Sequence, residues 1–373
     1  MAHFLILGAG RVGRAIALDL AQRHIVTAAD RNPAALQALQ AESASIEVIT
    51  ADLVSLDPLH EIILKSDIII TALPGRVAYK ILQELVSMGK RIVDISFFPQ
   101  DPYDLSELTV RSGSILVVDA GVAPGLSNLL LGYESSHVAV DRFVCYVGGL
   151  PLKPSWPFQY KAPFSPEDVI EEYTRPVRQR IGGSMVIKPP LSDLELVSIP
   201  DIGLLEAFNT DGLRTLLRNT SVPTLIEKTL RYPGHAEYIQ LLLQAGFLSD
   251  EPIETQEGLI RPRQVTAALL YKAWAMSPTD EDMTIMDVHI HTVQSETIRY
   301  TLIDTADVPR QISSMARTTG YTCTALATWL LDKAELPPGV YAPEQLAGIP
   351  GCFEYVRSYL SDRNVVLHRS PVD

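Results

Sequence analysis

Short apolar runs recur at a near-constant interval through the first third of the chain, near Phe4, Ile25, Glu47, Asp67, Arg91 and Ser114. Each gap of about 22 residues holds one strand, one helix and two short loops, so the period is a βα unit and not a solenoid repeat. Several runs are continuous rather than alternating (residues 4–7, 68–70 and 115–118), as in strands covered by helices on both faces. Val12, Ile16 and Leu20 fall on one helical face. Pro33, after Asp30 and Asn32, suits a first helical turn. Six such strands predict an α/β fold: a Rossmann-type, doubly wound parallel sheet with its ligand at the carboxyl ends of the strands.

The loop after the first strand reads Gly8-Ala9-Gly10-Arg11-Val12-Gly13, a G-x-G-x-x-G sequence that gains force from following a strand and opening a helix. Gly8 permits a tight turn, Gly10 lets the backbone approach a pyrophosphate, and Gly13 lets helix and strand pack closely. The helix N-terminus, with Arg11 and Val12, presents N–H groups and a positive dipole to the phosphates. Asp30 closes the second strand at the distance expected of a ribose ligand. Its carboxylate favours NAD over NADP, although Arg31 beside it can pair with a 2′-phosphate and keeps NADP possible. Asp52 ends the third strand, at the adenine edge or as a plain turn residue. Ala72, Leu73 and Pro74 follow the fourth strand. Asp119, Gly121 and Val122 open the loop after the sixth, where Gly121 and Gly125 are expected to leave room for a flat nicotinamide ring.

At 373 residues the chain is longer than one core usually supports, so two domains are expected. A formal net charge of −13, with no basic run, argues against nucleic acid or anionic lipid as partners. No stretch is apolar enough for a membrane span or a signal peptide. Cys145, Cys323 and Cys352 fit neither a zinc cluster nor a disulfide framework, and no metal is expected; a reducing cytoplasm is the simplest location. The βα period ends at residue 126. Beyond it, residues 143–147, 194–199 and 227–232 look like strands, and 284–293 with 296–303 like a hairpin. Residues 151–166 form a Pro- and aromatic-rich loop. This half, 127–310, reads as an α+β substrate domain. Residues 313–331 form a long apolar helix that, with the remainder of 311–373, is expected to pack back on the nucleotide domain, 1–126.

Taken with the Gly8 to Gly13 fingerprint, further strings give the chain a family likeness. They are Gly121-Val122-Ala123-Pro124-Gly125, Val147-Gly148-Gly149-Leu150-Pro151, Gln159-Tyr160-Lys161, Leu205-Glu206-Ala207-Phe208 and, most specific, Arg231-Tyr232-Pro233-Gly234-His235-Ala236-Glu237. The sequence resembles the saccharopine dehydrogenase-like oxidoreductases over nearly its whole length, with the lysine 6-dehydrogenase branch closest. The resemblance implies an NAD(P)-binding domain, a second domain that binds an amino acid and often forms a homodimer, and oxidation at a carbon bearing nitrogen. Lysine oxidation to the 6-semialdehyde is the first expectation. A saccharopine-type reaction joining an amino acid to a semialdehyde is the second, and a dinucleotide-binding sensor the third. Saccharopine-forming members carry Asp where Ala123 stands, whereas Lys161 looks more like that side of the family.

Such chemistry needs a base near neutrality and anchors for the carboxylate and any second amine. His235, after a Pro-Gly turn, is the first candidate base, and Lys161 the second. Arg231 suits a bidentate carboxylate clamp. Glu206, in apolar surroundings, could hold an ammonium or cap a helix. Tyr160 and Thr210 complete the candidate substrate contacts. Asp287, His289 and His291 alternate on one strand and are read as a solvated sheet face.

Overall fold

The computed structural model describes residues 1–162, 166–256, 258–277, 279–333 and 335–372. The chain divides into two compact units. Met1–Val138 and Ala316–Leu367 make the first; Ala139–Met315 and the residues from His368 on make the second.

In the first unit all six expected strands are present: β1 (His3–Leu7), β2 (Ile25–Asp30), β3 (Glu47–Thr50), β4 (Ile68–Thr71), β5 (Arg91–Asp94) and β6 (Ile115–Val117). They lie in the order β3-β2-β1-β4-β5-β6, every pair parallel, with Gly339–Tyr341 added beside β6 as a seventh parallel strand. Helices cover the sheet. Leu5, Leu7, Ile69, Ile92 and Leu116 pack against Ala78, Ile81, Leu82 and Leu85 of the helix Gly75–Ser87. The order reverses between β1 and β4, which places the ligand crevice of such a sheet beyond the β1 and β4 carboxyl ends.

The long apolar helix spans Ser314–Leu331 and belongs to the first unit from Ala316 on. One carboxylate ties it down. Asp19, 4% exposed, accepts hydrogen bonds from Thr324 Oγ1 at 2.8 Å, Tyr359 Oη at 2.7 Å and Arg363 Nε at 2.6 Å. The Arg363 guanidinium lies 3.4 Å from the Tyr359 ring centroid. Asp19 thus joins the helix Arg11–Leu20 to Ser314–Leu331 and to the end of Cys352–Ser361.

The second unit is a mixed sheet with helices, as an α+β reading requires. Val140–Pro151 pairs in parallel with Thr224–Arg231 and antiparallel with Asp282–Thr292. Gly203–Asn209 and Glu195–Ile199 extend one side, Thr297–Thr305 and His368–Val372 the other. Met286, Val288 and Ile290 share one buried face. On the other face Asp287 takes the Arg299 guanidinium at 2.7 and 2.9 Å and His289 at 3.1 Å. Among the described residues no His, Cys, Asp and Glu cluster could hold a metal ion, and no helix is long and apolar enough to cross a membrane.

Several strands lie outside the sequence reading. Val177–Ile181 with Ser184–Lys188, and Ile253–Thr255 with Gly258–Ile260, form hairpins; Gly203–Asn209 lies between Glu195–Ile199 and Thr224–Arg231; Gly339–Tyr341 joins the first sheet; and the last strand, His368–Val372, pairs with Thr297–Thr301 in the second unit although residues 311–373 as a block were expected with the first. The final segment is polar and interrupted by Pro371, so it carries no alternation by which a strand is recognised.

Candidate functional site

The glycine loop of the first unit sorts into three separate physical needs. Gly8 has φ +105° and its added Cβ would stand 2.3 Å from Ala72 O; at Gly13 a Cβ would stand 1.9 Å from Gly8 O. Both are required by the fold. Gly10 is not: its φ of −67° and ψ of −171° suit any residue, and a Cβ there meets no atom within 4 Å. A side chain there would stand in open space. Gly10 is also the N-cap of Arg11–Leu20 and makes no side-chain cap hydrogen bond, so this helix start has the form that receives phosphate. Gly10→Ala is therefore expected to leave the melting temperature unchanged while weakening dinucleotide binding by roughly tenfold, in line with losing one hydrogen bond to a charged group. Titration calorimetry with NAD and NADP checks it. A falling melting temperature would assign Gly10 to the fold instead.

Asp30 is anchored in this loop: Oδ2 accepts Ala9 N at 2.6 Å and Oδ1 accepts Asn32 N at 2.8 Å. Arg31 beside it is exposed. Asp52 is an exposed turn residue whose Oδ1 accepts Val54 N at 3.2 Å, which supports its plain turn reading. Ala72, Leu73 and Pro74 follow β4, and Leu73 N donates to Ser96 Oγ at 3.4 Å. Asp119 is buried with φ +54°. Gly121 and Val122 bridge to Gly125. The glycines of this loop serve its own folding rather than open space: a Cβ on Gly125 would lie 1.9 Å from Gly121 O, and one on Gly121 would lie 3.2 Å from Pro124 O.

In the second unit the structure brings Arg231, His235 and Tyr160 together, but inside the core. Arg231, 2% exposed, donates through Nε to Tyr173 Oη at 3.1 Å, through Nη1 to Leu230 O at 2.9 Å and through Nη2 to Glu172 at 3.3 Å. Tyr173 Oη meets His235 Nε2 at 2.9 Å, and His235 Nδ1 meets Phe158 O at 2.8 Å. The donors order themselves. A carbonyl only accepts, so Nδ1 carries the proton and Nε2 accepts from the tyrosine, which accepts from the arginine. Burial, then the Arg231 cation, pushes His235 down to about 3. A histidine with both nitrogens engaged and 0% exposed is a neutral structural link, which corrects the expectation of a general base. Arg231 is likewise corrected from an open clamp to a buried hub.

Glu206 is the helix cap. Its oxygens accept Ala236 N at 2.5 Å and Gly234 N at 2.9 Å, closing the start of His235–Gln244. Lys161 Nζ donates to Ala275 O at 3.0 Å. The Thr210 hydroxyl is spent on Glu227, at 3.0 and 3.1 Å, and on Thr229 at 2.8 Å.

Glu172, Tyr173, Glu227 and Trp274 were missed. Only Glu227 left a signal: it alternates with Leu225, Thr229 and Arg231 on one face of the strand Thr224–Arg231 and is buried there. Burial first, then Glu172, pushes its carboxyl up to about 8. The folded carboxyl thus keeps a proton that the unfolded one releases near 4.5, and the second unit should lose up to about 1.4 kcal/mol per pH unit as pH rises between these values. His235 acts oppositely, but only below its ordinary value of 6.5. Glu227→Gln mimics the protonated acid, donating to Thr210 and accepting Gly212 N, which lies 2.8 Å from Glu227. Urea unfolding should show a smaller loss of stability from pH 6.5 to 8 in the variant than in the parent; identical slopes would refute the buried neutral acid.

Two family signatures cover the chain: "Saccharopine dehydrogenase NADP binding domain" matches residues 4–117, and "Saccharopine dehydrogenase C-terminal domain" matches 121–364. The chain belongs to the saccharopine dehydrogenase family. Membership makes it an NAD(P)-dependent oxidoreductase acting on CH–NH bonds. Among relatives of this saccharopine dehydrogenase family chain is the saccharopine dehydrogenase [NADP(+), L-glutamate-forming] of Schizosaccharomyces pombe, 24% identical over 78% of this chain and 68% of that one. The apo saccharopine dehydrogenase (L-Glu forming) of Saccharomyces cerevisiae has the same fold, with a TM-score of 0.80 at 20% identity over the whole of both chains. The homospermidine synthase of Legionella pneumophila, in complex with NAD, matches with a TM-score of 0.66 at 13% identity over 100% and 92%.

Proposed function

We propose that this protein transfers a hydride between a nicotinamide dinucleotide and the secondary amine of an amino-acid conjugate, a saccharopine-type reaction. The reading rests on the two contiguous family matches and on relatives named for that activity. In the oxidative direction the C–H bond beside the amine nitrogen breaks, the hydride reduces the cofactor, and water cleaves the resulting imine into an amine and a carbonyl. The glycine loop, the N-terminus of Arg11–Leu20 and Asp30 would hold the dinucleotide. Asp30 supports NAD over NADP: its anchored carboxylate suits ribose hydroxyls and repels a 2′-phosphate. That choice departs from the NADP in the relatives' names.

Ala123 supports a second reading, oxidation of a primary side-chain amine as in lysine 6-dehydrogenases, because saccharopine-forming members resemble this loop but carry Asp there. One assay separates the two. The first predicts oxidation of reduced cofactor only when an amino acid and 2-aminoadipate semialdehyde are both supplied, and cofactor reduction with saccharopine. The second predicts cofactor reduction with lysine alone. Turnover of neither, with NAD or NADP, would leave the dinucleotide-binding sensor. The same assay, run with both cofactors, tests the NAD preference.

A further inference from the structure

With Asp30 and the glycine loop holding the adenosine half of a dinucleotide, as proposed above, the other half is left the carboxyl ends of β4, β5 and β6. Three polar side chains are buried there: Thr71 and Asp94, each 0% exposed, and Ser96, 4% exposed. Asp94 ends β5 and joins the others. Its Oδ1 accepts Thr71 Oγ1 at 2.5 Å, its Oδ2 accepts Ser96 N at 3.1 Å, and its backbone oxygen accepts Ala120 N at 3.0 Å. Ser96 Oγ in turn accepts Leu73 N, and the segment Ala72-Leu73 packs on the glycine loop at Gly8. Asp94 thus touches the loops after β4, β5 and β6. Both hydrogen bonds to its carboxyl oxygens are donated to it, which favours the ionised acid. The Cys323 thiol, on Ser314–Leu331, is pushed well up by burial first and then by the Asp94 charge. Closing these turns does not need an ionised acid, since a serine or asparagine also accepts such donors. What the carboxylate adds is a buried negative charge, and a charge so poorly screened acts well beyond its hydrogen bonds.

We propose that Asp94 makes the dinucleotide site prefer the oxidised cofactor, whose nicotinamide ring is cationic, over the reduced cofactor, whose ring is neutral. The placement of the cofactor rests on the function proposed above; the identity of the amine does not enter. Asp94 has no part in bond making and acts only on the charge of the ring. Holding the oxidised form more tightly lowers the potential of the bound couple, so the crevice favours reduction of an imine over oxidation of an amine.

Asp94→Asn tests this by binding, without turnover. The amide can keep both contacts, with its oxygen toward Ser96 N and its nitrogen toward the Thr71 hydroxyl, which turns to accept. Dissociation constants for NAD, NADH, NADP and NADPH, from calorimetry and from the fluorescence of the reduced forms, give an oxidised-to-reduced ratio within each pair. That ratio should rise about tenfold in Asp94→Asn, the scale of one charge–charge interaction in a largely buried setting. Should the asparagine variant not fold, Asp94→Ser, which also accepts Ser96 N, reads the same ratio. Thr71→Val removes a hydrogen bond and keeps the charge, so it should lower the melting temperature and leave the ratio within about twofold of the parent's. The proposal is overturned if Asp94→Asn weakens both forms by the same factor, since the side chain then only shapes the turn. It is also overturned if Thr71→Val moves the ratio as far as Asp94→Asn does. A parent that binds none of the four dinucleotides would overturn the cofactor placement itself, and this proposal with it.

Discussion

Asp19→Ala will destabilise the first unit by about 3–5 kcal/mol, the usual cost of removing one partner from a buried charge pair. The side chain is 2% exposed and serves three donors from outside its own helix. Without it the Arg363 cation, only 15% exposed, has lost its carboxylate, and the Tyr359 and Thr324 hydroxyls lose an acceptor. Asp19→Asn keeps an acceptor but not the charge, and should fall between parent and alanine. Urea unfolding of the cofactor-free protein gives the order. Alanine and parent unfolding at the same midpoint would show the network to be idle.

Arg231→Ala should be nearly as damaging to the second unit, again on the order of 3–5 kcal/mol. It empties a fully packed site and takes the donor from Tyr173, so the chain through His235 to Phe158 loses its first member. Arg231→Lys should recover little, because one ammonium cannot reach Tyr173, Leu230 and Glu172 with a planar fork. The melting temperature must be measured alongside activity. A variant that melts like the parent yet has lost its amino-acid KM would restore Arg231 to an open clamp.

The first unit was legible because its signals are local. Continuous apolar runs, a loop of defined glycines and a steady βα period each specify one element without reference to the rest of the chain. The division among Gly8, Gly10 and Gly13 could be stated in advance because each follows from chain geometry. The second unit was less so. Some of its strands were found where apolar residues run or alternate, as in 194–199; others were missed, both polar ones, Val177–Ile181 and His368–Val372, and the largely apolar Gly203–Asn209. Of its candidate residues Arg231, His235 and Tyr160 lie together, but their roles depend on burial, which one sequence does not display. The string Arg231-Tyr232-Pro233-Gly234-His235 looks the same whether its side chains line an opening or fill a core. Glu206 shows the point: its partners, Gly234 and Ala236, become visible only when two strands are laid side by side with Glu206 opposite Arg231.

The seventh strand of the first unit, Gly339–Tyr341, and the helix Ser314–Leu331 are encoded after nearly all of the second unit. On the ribosome, β1 to β6 therefore emerge without the strand that borders β6 and without Thr324, Tyr359 and Arg363, the partners of Asp19. At about 5–20 residues per second, the nucleotide unit waits roughly 10–40 seconds for its missing pieces. During that wait the edge of β6 is bare and the acidic end of the first helix has no cation, a state that invites chaperone capture and explains why a fragment cut at the first crossing would be a poor substitute for the whole unit.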